Sequence, residues 1–168
     1  MDRLAELFSK IVGRVGQISI WLALILVLVQ FFIVILRYIF GISFIEVQES
    51  VSIIHGILFM LAAGWVLQLD KHVRVDIFYS NWSYRAKLAL NMVGAVFLLF
   101  PFVLVVWLYS WPYVAESWSV FEGSADTGLR VIYLQKTIIL VFAFLLGMQG
   151  VSILLRGLIG DNKSAGEP

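Results

Sequence analysis

The sequence of 168 residues contains no cysteine, two histidines and three prolines. Without cysteine, the chain cannot form disulfide bonds, use a thiolate in catalysis or bind a metal through a cysteine. Charged residues make up 14% of the chain, whereas a typical soluble domain has roughly 25%. The formal net charge of +1 argues against a nucleic-acid partner, because nucleic-acid binding needs a concentrated basic face.

Long apolar stretches take the place of the missing charge, and hydrophobic residues make up 61% of the chain. Twenty residues without a charge separate Glu49 from Asp70. As a helix they would cover about 30 Å, which is the thickness of the hydrocarbon layer of a bilayer. Three further stretches are similarly apolar. We therefore predict an all-α fold, an integral membrane four-helix bundle forming a single domain, 1–168, with spans at about 16–36, 50–69, 88–109 and 131–155.

The distribution of positive charge predicts the orientation of the bundle. The N-terminal segment, the connection between the second and third spans and the C-terminus together carry nine of the twelve Lys and Arg residues. Lysine and arginine are enriched in cytoplasmic connections. We therefore expect both termini to be cytoplasmic.

Two interpretations remain open for the first fifteen residues. The apolar residues Leu4, Leu7, Phe8, Ile11 and Val15 recur at spacings of three and four, which is the pattern of an amphipathic helix. This lead-in, 1–15, either lies along the inner membrane surface or forms the first turns of the first span. At the other end of the chain, the polar tail 160–168 is expected to be disordered.

Polar and small residues within the spans are candidates for helix packing. Gln30 lies inside the first apolar run, where its amide needs a hydrogen-bond partner, so we expect it to face another helix. Small residues in the second and fourth spans allow close approach between helices: Gly56, Gly64, Gly147 and Gly150.

The ionisable residues give little support to an enzyme. His55 within the second span is either a haem or metal ligand or a histidine hydrogen-bonded to a neighbouring helix; the only other histidine, His72, lies beyond the same helix. Glu46 and Glu49 form a carboxylate pair that is better suited to satisfying Arg37 or binding a partner than to acid–base chemistry. We predict no catalytic residue, no metal site and no cofactor, and therefore no enzyme.

A dense charged segment follows the second span. In either a helical or an extended form, it presents a charged face and an apolar face at the level of the lipid headgroups. It is either an anchor of the positive-inside kind or a contact to another subunit, through Asp70, His72, Arg74 and Asp76.

Several motifs together resemble one known family. Arg37-Tyr38 ends the first span, Gln48-Glu49-Ser50 opens the second, and the turn Asp70-Lys71-His72-Val73-Arg74-Val75-Asp76 follows it. With Glu122-Gly123-Ser124, Tyr133-Leu134-Gln135-Lys136 and Gln149-Gly150, these motifs resemble the small membrane subunit, DctQ, of the tripartite ATP-independent periplasmic (TRAP) transporters. Gly128-Leu129-Arg130 departs from the family, whose members often have Gly-Gly-Leu-Pro there.

The resemblance implies a role and a set of partners. It implies an accessory subunit of a secondary transporter in the bacterial inner membrane that imports an organic acid or related solute by symport. The partners would be the lipid bilayer, a DctM-like large membrane subunit and a DctP-like periplasmic substrate-binding protein. The periplasmic interface would include Arg37, Glu49, Glu122, Asp126 and Lys136.

Two other classes of membrane protein remain as alternatives. One is the membrane anchor of a redox complex, which would contain haem. The other is a small autonomous membrane protein, such as a channel or an intramembrane enzyme.

Overall fold

The computed structural model describes residues 2–69 and 83–164. Within these residues every regular element is a helix. The elements in chain order are α1 (Asp2–Ile39), α2 (Ile45–Gln68), α3 (Tyr84–Gly94), a π-helical segment (Ala95–Leu99), α4 (Phe100–Ser119) and α5 (Ile132–Ser164).

Four helical stretches in the described part of the chain are long and apolar enough to cross a membrane. They cover Arg3–Ile39, Ile45–Gln68, Arg85–Ser119 and Ile132–Leu158. The third of these combines α3, the π-helical segment and α4. The predicted all-α four-helix membrane fold is confirmed, while the cytoplasmic location of the termini stays a prediction.

The buried face of α1 differs from the apolar stripe that the sequence suggests. Leu4, Leu7 and Ile11 are 53%, 50% and 39% exposed. The buried residues of the same helix are small or medium in size: Ala5, Ser9, Val12, Gly16 and Ser19. In a bilayer, large apolar side chains can face lipid, and small residues allow helices to approach one another closely. The lead-in 1–15 is therefore continuous with the first span, in one helix of 38 residues.

Helix α5 lies at the centre of the bundle. It packs against α1, α2, α3, the π-helical segment and α4. In its most apolar stretch 39% of the residues are buried, against 6% in each of the other three spans. The core cluster joins α1 to α5 through Val12, Leu145 and Met148. Three helical rods therefore surround one central helix.

The π-helical segment ends two residues before Pro101, a residue that we expect to loosen its helix. Proline has no amide N–H, and its ring clashes with the carbonyl four residues earlier, here that of Phe97. The helix accommodates the proline with a wider turn, in which the Phe100 amide donates to the Ala95 carbonyl, five residues back. A π-helical turn of this kind adds a residue to the helical turn and rotates one half of the rod relative to the other.

The last helix continues further than the sequence suggests. The sequence predicts a disordered tail over 160–168, whereas α5 extends to Ser164. Residues 165–168 lie outside the described residues, so for them the expectation stays a prediction.

Candidate subunit interface

Two connections lie at the same end of the bundle, because α1 and α4 end where α2 and α5 begin. They are the short connection 40–44 and the longer 120–131 loop, and we call this end the loop end. Gly41 adopts a φ of +68°, and the Ile42 amide donates to the Leu36 carbonyl at 3.0 Å. This backbone conformation favours glycine and turns the chain sharply from α1 into α2.

The 120–131 loop is closed by its own backbone. The Ser124 amide donates to the Leu129 carbonyl at 2.8 Å, and the Gly128 amide donates to the Ser124 carbonyl at 3.0 Å. Gly128 has a φ of +72°, which a glycine adopts without steric cost. A Cβ atom on Gly123 would lie 3.1 Å from the Gly128 carbonyl oxygen. The loop is a compact turn that depends on small residues at both positions.

Glu122 connects the loop to two helices. Its carboxylate accepts a hydrogen bond from Ser117 of α4 at 2.6 Å and forms an ion pair with Lys136 of α5. The hydrogen bond from Lys136, followed by that from Ser117, lowers the pKa of the Glu122 carboxyl below its usual value. The Lys136 ammonium also lies 4.0 Å from the centroid of the Tyr113 ring, a cation–π contact.

Glu49 connects the same loop to α2. Its carboxylate accepts a hydrogen bond from the hydroxyl of Thr127. The loop is thus joined to three helices, α2, α4 and α5, by two carboxylates.

The five residues predicted for the periplasmic interface fall into two groups. Glu122 and Lys136 pair with one another, and Glu49 is bonded to the loop. Arg37 and Asp126 are exposed and line separate clefts. Three of the five therefore fix the loop in place, and two are available at the surface.

Aromatic residues at the loop end join the third span to the loop and to α5. The Trp118 indole N–H donates to Thr137 at 2.8 Å. The Tyr133 ring makes edge-to-face contacts with Trp118 and Phe121, with centroids 4.7 and 5.7 Å away. The concentration of tryptophan and tyrosine near the end of the third span indicates an aromatic belt at the level of the lipid headgroups, but it does not specify the contacts with Tyr133 and Thr137 of α5.

Two clefts open beside α2 and meet at Gln48. One, of about 380 Å³, lies between α2, the loop and α5 and is lined in part by Glu49, Ser52, Asp126 and Gln135. The other, of about 330 Å³, lies between α1 and α2 and is lined in part by Gln30, Arg37, Tyr38 and Val51. Gln30 is exposed in this second cleft.

The glycines predicted for helix packing are placed at contacts within the bundle. Gly64 and Gly150 are buried. A Cβ atom on Gly56 would lie 3.6 Å from the Gln135 amide nitrogen, and one on Gly147 would lie 3.5 Å from Val103. Gly16, which we had not singled out, is covered by Trp65, whose ring occupies the position of a Cβ atom.

A polar network at the opposite end joins the first and last helices. The Arg156 guanidinium donates to the Ser9 hydroxyl at 2.9 Å, and the Ser9 and Ser152 hydroxyls are hydrogen-bonded at 2.9 Å. Ser152 also donates to the Ala5 carbonyl at 3.1 Å. Sequence reasoning missed Ser9. The signal was present, since Ala5, Ser9 and Ser19 interrupt the apolar residues of α1 at helical spacing.

The charged segment Asp70, His72, Arg74 and Asp76 lies outside the described residues. Its proposed role at the cytoplasmic boundary or at a subunit contact therefore stays a prediction. His55 lies inside the described part, on the exposed face of α2, and no residue of that part is hydrogen-bonded to its side chain.

Helices of this length and composition, arranged around one central helix, define a multi-pass helical membrane protein. Residues 3–160 match the family described as tripartite ATP-independent periplasmic transporters, DctQ component, and the chain belongs to this family. It is therefore the small membrane subunit of a TRAP transporter. Such a subunit works with a DctM and a DctP component. Neither the curated proteins nor the solved structures gave a match.

Proposed function

We propose that the chain braces the DctM-like large subunit in the bacterial inner membrane and forms part of the docking surface for the DctP-like binding protein. The complete transporter imports an organic acid or related solute by symport. The small subunit holds the large subunit in position and provides contact surface, and the large subunit carries the solute.

The packing of the bundle supports the bracing role. Its core cluster is apolar and consists of Val12, Leu145 and Met148, whereas carriers hold ionisable groups within the membrane to bind their substrates and ions. Large apolar residues face outward instead: Trp21, Val27 and Phe31 of α1 are 68%, 63% and 63% exposed. Such a surface suits lipid and neighbouring helices.

The 120–131 loop is the observation that carries the docking role. Glu122 and Glu49 hold it against three helices, while Asp126, Leu129 and Arg130 remain exposed. A surface that is already ordered loses less conformational entropy when a partner binds. The loop therefore offers a rigid contact with both signs of charge to a soluble protein.

Charge reversal on the loop tests the docking role. We expect Asp126→Lys combined with Arg130→Glu to weaken the binding of DctP to the nanodisc-embedded complex by about fivefold, because charges at the rim of an interface contribute about 1 kcal/mol. Surface plasmon resonance measures the affinity. Glu6→Lys, an exposed charge reversal at the opposite end, is the control and should leave the affinity unchanged. Equal affinity for the wild type and the loop variant would contradict the docking role.

A further inference from the structure

Helix α2 carries a stripe of polar residues on its exposed face. Gln48, Ser52 and His55 follow one another at spacings of four and three, which places them on one face of a helix. Ser52 and His55 are exposed and Gln48 is partly exposed. Phe59, one turn further on, continues the same face and is 69% exposed. We call Gln48, Ser52 and His55 the α2 stripe.

The stripe extends into the membrane. Helix α2 begins at Ile45 and has 24 residues. The predicted span begins at residue 50, so His55 lies five residues, about 8 Å along the helix axis, inside a hydrocarbon layer that is about 30 Å thick. The stripe therefore runs from the loop end into the hydrocarbon layer.

The chain itself leaves the stripe without partners. Within residues 2–69 and 83–164, the side chains of Gln48, Ser52 and His55 form no hydrogen bond, and neither does Gln30 across the α1–α2 cleft. Lipid tails cannot supply hydrogen bonds, and an unsatisfied polar group in hydrocarbon is costly. Such residues in spans normally face other protein.

The small-residue surfaces at Gly64 and Gly150 are already occupied. A Cβ atom on Gly64 would lie 3.3 Å from both Val12 and Leu145, and one on Gly150 would lie 2.8 Å from Leu99. The small-residue faces of α2 and α5 are thus used to hold this chain together. Among the described residues, the α2 stripe is a polar surface that stays open to a partner helix.

We propose that the α2 stripe, together with Gln30, is the contact face for one transmembrane helix of the DctM component. This inference rests on the proposed bracing function. Glutamine, serine and neutral histidine each offer both a donor and an acceptor, so the partner helix carries uncharged hydrogen-bonding side chains, such as serine, threonine, asparagine or glutamine, at the same depth. The α1–α2 cleft of about 330 Å³ receives the side chains that meet Gln30 and Gln48, and the cleft between α2, the loop and α5 receives those that meet Ser52.

Photo-crosslinking in the native membrane tests the contact without altering the stripe. A photo-reactive phenylalanine analogue replaces Phe59, and in a matched control it replaces Phe97 of the π-helical segment, which is 71% exposed. We expect the Phe59 position to form a covalent adduct with DctM and the Phe97 position to form little or none. Mass spectrometry of the adducts identifies the partner.

A second set of variants tests the hydrogen bonds. Gln48→Leu, Ser52→Ala and His55→Leu together should reduce the Phe59 adduct with DctM by about tenfold, because interhelical hydrogen bonds in membranes contribute modestly and add up over three residues. Gln17→Leu, an exposed glutamine near the opposite end of α1, is the matched control and should leave the adduct unchanged.

The outcomes separate the two proposals. Adducts with DctM from Phe97 but not from Phe59 would overturn the inference and leave the bracing function intact. Adducts from Phe59 with lipid or with a second copy of this chain would overturn the inference as well. If no position yields DctM and DctM does not copurify, the bracing function fails together with the inference. An unchanged yield of the Phe59 adduct with DctM in the triple variant would contradict a contribution of these hydrogen bonds to the contact.

Discussion

Single residues decide how closely the helices of this bundle approach one another. Gly64 of α2 lies where α1, α2 and α5 meet, and a Cβ atom there would lie 3.3 Å from Val12 and from Leu145. Within the hydrocarbon layer, no hydrophobic effect drives helices together, so the stability of this contact depends on close packing. The absence of a side chain at Gly64 therefore allows these three helices to pack closely.

Gly64→Leu tests this dependence on a small residue. We expect the substitution to lower the free energy of unfolding by about 1–3 kcal/mol, because extra methylene groups overpack a filled contact. The midpoint of thermal unfolding in mild detergent, followed by tryptophan fluorescence, measures the effect. Gly94→Leu is the control, since a Cβ atom there meets no atom within 4 Å; equal losses at both positions would contradict the close packing assigned to Gly64.

The ion pair of Glu122 and Lys136 predicts a dependence on pH. The Lys136 hydrogen bond lowers the pKa of Glu122 below its usual 4.5, so the folded chain holds this proton less tightly than the unfolded chain. The stability from the pair is therefore fully present above pH 4.5 and is lost as the pH falls through the lowered pKa. Glu122→Gln should unfold at a lower temperature than the wild type at neutral pH, and the difference should shrink in acid. A difference that is constant across this range would contradict the ion pair.

At the scale of the elements, the third span shows how the extra residue of a π-helical turn sets the rotation of one half-helix relative to the other. The π-helical segment Ala95–Leu99 separates α3 from α4. Met92 of α3 lies against Gly157 of α5, where a Cβ atom would be 2.7 Å from its Cγ, and Leu99 lies against Gly150. Both halves face α5 because the wider turn places their contact residues on the same side.

A pair of cysteines tests this register, and the absence of native cysteine makes the result unambiguous. Met92→Cys with Gly157→Cys should form a disulfide on mild oxidation, because the two Cβ atoms lie close together. Deleting Phe97 should remove the extra residue of the wide turn and rotate Met92 by about 100° about the helix axis, which abolishes the crosslink. Met92→Cys with Gly147→Cys is the control that should not crosslink. An unchanged crosslink after the deletion would contradict the role of the segment.

Much of the architecture could be predicted from the sequence, and the exceptions have a common physical cause. Twenty uncharged residues between Glu49 and Asp70 suffice to predict a span. The buried face of α1 could not be found from Leu4, Leu7 and Ile11, because hydrophobicity does not distinguish a lipid-facing side from a protein-facing one in a membrane.

The candidate site was harder to predict from the sequence than the fold. The residues Glu49, Glu122 and Lys136 were singled out, but their partners depend on the path of the 120–131 loop, which no periodic pattern specifies. The exposure of His55 depends on which side of α2 is covered by α1 and α5. Contacts between distant residues, such as Ser9 with Ser152, follow only from the packing of whole helices.

At the scale of the whole molecule, the orientation of the bundle is a prediction that single cysteines can test. With both termini cytoplasmic, Ser43→Cys and Ala125→Cys at the loop end should react with a membrane-impermeant thiol reagent added outside intact spheroplasts. Arg3→Cys should react only after the membrane is opened, since arginine- and lysine-rich ends remain in the cytoplasm. Labelling of Arg3→Cys in intact spheroplasts would reverse the orientation and move the proposed docking loop to the cytoplasm.

The central claim is that this four-helix bundle acts as the accessory partner of a larger membrane subunit. The most direct test is purification of the tagged chain from its native membrane in mild detergent, with identification of every protein that accompanies it and a spectrum of the purified sample. We expect the DctM component to be recovered with the chain in a fixed ratio, and no haem absorbance. Recovery of the chain alone, or with a haem-containing complex in place of DctM, would contradict the account.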